Sequence, residues 1–105
     1  MSDSLPAPAP YQVICSEVVR RELLACSNKA QDRGIGPEYL AGLQDFYRRL
    51  MIYPQFGDPL SDLLLKPSQL MIGSVWPLVL RYTLDEERRL VMVVAAFVLL
   101  PRHTG

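Results

Sequence analysis

The sequence predicts an α+β domain of order β-α-α-β-β-β, a two-helix hairpin packed on an antiparallel sheet of three or four strands. Three observations carry this. Gly73 to Leu100 holds two runs of β-formers flanking the polar connection Asp85-Glu86-Glu87-Arg88-Arg89, which reads as a β-hairpin. Two stretches with helical apolar spacing precede it. A short alternating run, Tyr11 to Cys15, precedes those.

Taken in order, Met1 to Pro10 alternates Pro and Ala and carries no core pattern, so residues 1–10 read as a flexible tail and 11–105 as one domain. In Tyr11 to Cys15, Tyr11, Val13 and Cys15 share one side and Gln12 and Ile14 the other. Ser16 stands where a helix N-cap belongs, with Glu17 complementing the helix dipole in the first turn. The first helix is expected from Glu17 to about Arg33, with Val19, Leu23, Cys26 and Ala30 inward and Leu24 widening the stripe. Gly34 suits the left-handed residue that ends a helix, and Pro37 suits the start of the next.

The second helix is expected from about Pro37 to Tyr53, with Leu40, Leu43, Tyr47 and Leu50 as its buried stripe and Phe46 and Met51 beside it. Pro54 stops it, because the residue before a proline is pushed out of helical geometry. Pro54 to Leu60 reads as a loop, and Leu60 to Leu65 fits a short strand or a helical turn equally. Gln69 to Ile72 begins strand character, and Gly73 or Pro77 marks a bend, bulge or edge. Leu78 to Leu84 alternates around Arg81. Leu90 to Leu100 is apolar on both faces, so this strand belongs in the sheet interior or needs a cover on its second face.

At 105 residues the chain supports one modest core. Half the residues are hydrophobic and 21% charged, which excludes a disordered composition. Eleven basic and eleven acidic residues cancel, removing the simple electrostatic case for nucleic-acid binding, although nine of the eleven basic residues are arginines suited to bidentate anion contacts. Cys15 and Cys26 form neither a disulfide framework nor a zinc spacing and read as small core hydrophobes. No signal peptide or run of ~20 apolar residues is visible, so the expectation is a cytoplasmic protein with reduced thiols, no membrane association, no metal and no cofactor.

Specific wording narrows the fold. Leu50-Met51-Ile52-Tyr53-Pro54 closes the second helix, a loop of form Gly57-x-Pro59-Leu60-x-Asp62-Leu63 follows, and then come Gly73, Trp76, Arg81-Tyr82, an acidic turn at Asp85 and a closing hydrophobic strand. From Tyr11 to about Leu100 this resembles the RelE/ParE-type toxins of bacterial toxin–antitoxin pairs. The resemblance implies a RelE-like fold and a cognate antitoxin as partner. It implies either messenger-RNA cleavage on the ribosome or, as in ParE-like members, action on DNA gyrase.

Cleavage in such a site needs a group to take the 2′-hydroxyl proton, another to protonate the leaving oxygen, and cations to stabilise the phosphorane. The residues that would serve here are Arg81 and Arg102 on phosphate and His103 in proton transfer. The chain departs from the family pattern: Val79 stands where an arginine usually precedes the strand's Tyr by three residues, and no charge falls between Leu90 and Leu100. The other reading is a non-catalytic interaction domain on the same scaffold, its last strand or helical hairpin pairing with a partner or with a second copy. Arg20-Arg21, Arg48-Arg49 and Arg88-Arg89 each have acidic neighbours and read as solvated ion pairs. Trp76 reads as a plug at the core edge.

Overall fold

A computed structural model describes residues 9–60 and 68–101. Strand β1 (Gln12–Cys15) leads into helix α1 (Glu17–Asp32), which starts where the sequence places it: the Ser16 hydroxyl accepts the Val19 amide at 3.2 Å. Gly34, at φ 77°, ends that helix in the left-handed region. Helix α2 (Gly36–Ile52) follows, then a 3₁₀ turn (Pro54–Phe56) opened by the proline that stopped it. The expected loop also contributes a two-residue strand, β2 (Asp58–Pro59), and three longer strands complete the fold: β3 (Ser68–Val75), β4 (Leu78–Asp85) and β5 (Leu90–Val98).

The sheet has five strands, not three or four, in the order β1-β5-β4-β3-β2. It is antiparallel except at β1, which pairs parallel with β5. The strand after the helical hairpin, β2, runs opposite to β1, and the three antiparallel reversals from β2 through β3 and β4 bring β5 back to the direction of β1. Both helices lie on one face. There α1 covers β5, while α2 reaches β1, β3 and β4.

The core is the seam between hairpin and sheet: Val19, Cys26 and Ala30 from α1, Tyr39, Phe46 and Leu50 from α2, and Leu78, Leu80, Tyr82, Leu84, Val91 and Val93 beneath them. On α2 the buried stripe is Tyr39-Gly42-Phe46-Leu50, one position round from the expected one, and Leu40 and Tyr47 are more than half exposed. Both sets satisfy a 3.6-residue period, so spacing alone does not choose between them. Close approach does: a Cβ on Gly42 would stand 2.8 Å from the Trp76 carbonyl oxygen, so the α2 face bearing glycine is the one that meets the β3–β4 turn. Leu24 is likewise exposed, because α1 is covered on one side only.

The strand ends settle one expectation and correct another. Pro77 sits in the β3–β4 turn after a cis Trp76–Pro77 bond, while Gly73 lies inside β3, where a Cβ would crowd the rings of Phe46 and Phe56. Trp76 is 54% exposed and does not plug the core, while its carbonyl oxygen faces Gly42 of α2. The expected ambiguity over Leu60 to Leu65 falls almost wholly outside the described residues. No helix among the described residues is long and apolar enough to cross a membrane.

Candidate functional site

Strand alternation sorts β4 into two sets. Leu78, Leu80, Tyr82 and Leu84 turn toward the helices and are buried, while Val79, Arg81 and Thr83 turn to the open face. Cross-strand register extends that open face. Ile72 and Ala95 oppose Arg81, Phe97 and Ser74 oppose Val79, and Met92 opposes both Thr83 and Ile14. A register shift between Arg81 and Tyr82 leaves Val94 as an extra residue on β5, a β-bulge that presents it to solvent at 41% exposure.

The result is an apolar surface with a cation at its centre. Met92 and Phe97 are 43% and 46% exposed, and Ile14, Ile72 and Val79 are half-buried around them. Arg81 lies on the middle strand of the face with its guanidinium 5.5 Å from the centre of the Phe97 ring, a cation–π contact. Arg81 has no ion-pair partner among the described residues, unlike Arg21, Arg49 and Arg88, which meet Glu17, Asp45 and Asp85. The expected surface ion pairs thus form in the first two arginine doublets, while Arg88 meets the buried Asp85 instead of Glu86 or Glu87.

Of the three residues nominated by sequence, only Arg81 has a described position. Arg102 and His103 lie outside the described residues; the chain is followed to Pro101, whose carbonyl accepts a hydrogen bond from Arg33 Nη1 at 3.1 Å. Arg81 alone supplies one anion contact and no proton-transfer partner. Among the described residues no group of three or more His, Cys, Asp or Glu side chains could hold a metal ion.

Tyr82, on the opposite side of β4, is fully buried and acts on the scaffold. Its hydroxyl donates to the Pro54 carbonyl at 2.5 Å, and the Gly57 amide faces the same oxygen. Burial pushes its pKa up to about 12, which keeps it a neutral donor. The 3₁₀ turn is thereby pinned to the sheet, with Phe56 stacked on Tyr82 and edge-on to Phe46. At the far end, Asp85 Oδ1 accepts the Arg88 amide at 3.0 Å, ordering the polar turn, and Arg89 stacks 4.2 Å over Tyr11.

An apolar cleft of about 70 Å³ opens between the hairpin and the sheet, lined by Cys15, Leu23, Leu43, Tyr47 and Val93 among others. It is smaller than a cavity of about 150 Å³ that accepts benzene, and it has almost no polar lining. Burial raises the pKa of the Cys15 and Cys26 thiols, which fits inert side chains, and Cys26 turns its thiol toward the Ala96 carbonyl.

The tertiary arrangement finds a counterpart among solved structures. A chain of the crystal structure of the toxin–antitoxin complex RelBE2 from Mycobacterium tuberculosis superposes with a TM-score of 0.61. The match covers 87% of this chain and 93% of that one.

The fold is RelE-like.

Sequence identity in that superposition is 22%, so the likeness is one of architecture. No protein-family model matches the sequence, and no curated protein matches it either. What sequence reasoning missed is the open face as a surface. Its signal was present in Leu90 to Leu100, whose second apolar face called for a cover.

Proposed function

We propose that this chain is the toxin-like component of a toxin–antitoxin pair, held in check by a small cognate antitoxin protein. The observation that supports this is the RelE-like architecture, shared over nearly the whole chain with a component of a toxin–antitoxin complex. In a ribonuclease of this kind, Arg81 would meet a phosphate on the open sheet face, with Arg102 adding a second cation and His103 transferring a proton. Loss of a general acid or base costs ~10² to 10⁴-fold in rate. His103→Ala is therefore expected to lower cleavage at least ~10²-fold, and Arg81→Ala to relieve toxicity.

A second reading is supported by the same face: a non-catalytic interaction domain on this scaffold. Its apolar character and lone described cation suit protein better than RNA. Induced expression in a bacterial host separates the two. Growth arrest relieved by Arg81→Ala or by truncation before Arg102, at unchanged protein level, supports the ribonuclease. Arrest indifferent to both places toxicity elsewhere on the surface, as in a gyrase-directed toxin. Normal growth with soluble protein accumulating supports the interaction domain.

A further inference from the structure

The open face of the sheet is unusual in what it combines. Apolar side chains from four of its five strands, Met92, Val94 and Phe97 exposed and Ile14, Ile72 and Val79 half-buried, surround one arginine. Contiguous apolar surface of this kind, rimmed by polar side chains, marks interaction sites on soluble proteins.

We infer that this face is a docking surface for a segment of a partner protein that carries apolar side chains bracketing one carboxylate. Three features select that occupant. First, Arg81 is exposed and has no ion pair among the described residues, and its position over Phe97 leaves the planar fork free to take a carboxylate in bidentate fashion. Second, a nucleic-acid track needs several cations following the backbone, and the described residues of this face present one. Third, Arg81 stands on the central strand, so a twofold axis through the face would bring two like charges together at the middle of a desolvated contact. A second copy is the wrong partner for that reason. The carboxylate, by contrast, converts the one described cation of the surface into a centrally buried pair among apolar contacts, the arrangement that concentrates binding energy.

The inference stands on the surface itself and not on the toxin reading, so growth assays do not decide it. The probe is a phage-displayed library of random 16-residue peptides selected against the full chain, with the enriched peptides then synthesised and titrated. Enriched peptides are expected to hold one Asp or Glu among Leu, Ile, Val or Phe. Arg81→Glu should weaken them at least 10-fold, and replacing the peptide's carboxylate with Lys should restore binding to that variant. Phe97→Asp and, separately, Met92→Lys should weaken the same peptides. All three positions are at the surface, so a urea midpoint equal to wild type certifies each variant. Peptides without a carboxylate, or binding that survives Arg81→Glu and Phe97→Asp alike, would overturn the proposal. So would tight binding of a ten-nucleotide uridine RNA lost in Arg81→Glu, or a dimer in sedimentation that Val94→Asp dissociates.

Discussion

Replacing Tyr82 by Phe tests how the sheet holds the loop that follows α2. The ring stays: it is fully buried, stacked on Phe56 with centroids 6.3 Å apart, and Phe fills the same space. Only the hydroxyl leaves, and with it the hydrogen bond to the Pro54 carbonyl and the oxygen faced by the Gly57 amide. A buried backbone group deprived of its partner costs about 1–3 kcal/mol. A loss near 2 kcal/mol lowers the urea midpoint by roughly 1 M at an m-value of about 1.5–2 kcal/mol/M.

Tyr39→Phe is the matched comparison. Its hydroxyl donates at 2.8 Å to the Leu23 carbonyl, inside α1, where the helix supplies that oxygen with an amide of its own. Its loss should therefore stay near the net value of one hydrogen bond, about 0.5–1.5 kcal/mol. Urea unfolding at pH 7, with amide exchange at residues 54–57, reads both. Equal losses in the two variants, or a Tyr82→Phe protein within about 0.3 kcal/mol of wild type, would refute the reasoning that Pro54 depends on Tyr82.

The same tyrosines set an alkaline limit. Their folded pKa values are pushed to about 12, above the usual value near 10, so the stabilisation is complete below pH 10 and is lost as pH rises from 10 to 12. Urea midpoints should fall through that window and fall less steeply in Tyr82→Phe; parallel profiles would show that the tyrosines are not responsible. At the edge of β5, Glu22 Oε1 accepts the Ala96 amide at 3.0 Å beyond the reach of β1. Glu22→Ala should cost about 1–2 kcal/mol and speed exchange at Ala96, while Glu22→Gln, which keeps an acceptor, should recover most of it. Gly42→Ala should destabilise by about 1–3 kcal/mol, since its Cβ meets the rigid Trp76 carbonyl and the Pro77 ring; calorimetry showing an unchanged melting temperature would mean that α2 moves aside freely.

Much of the architecture was written locally. Ser16, Gly34 and Pro54 mark helix ends because capping, left-handed backbone and proline geometry act within a few residues, and each stands where the chain turns. The opposite orientation of Arg81 and Tyr82 is fixed by strand alternation and was equally readable. The candidate site was legible only through Arg81, while Arg102 and His103 keep their proposed roles from the family resemblance.

Tertiary contact decided what local rules left degenerate. Two apolar stripes on α2 obey one helical period, and only the approach of the β3–β4 turn to Gly42 selects between them. Parallel pairing of β1 with β5 joins residues nearly eighty positions apart, which no local pattern encodes. The open face is the same kind of fact. Sequence determined that Leu90 to Leu100 has two apolar sides, because alternation is a property of the strand alone. Which of them the helices cover, and that Ile14, Ile72 and Val79 join the uncovered one around Arg81, depends on register across four strands, and register is set by packing.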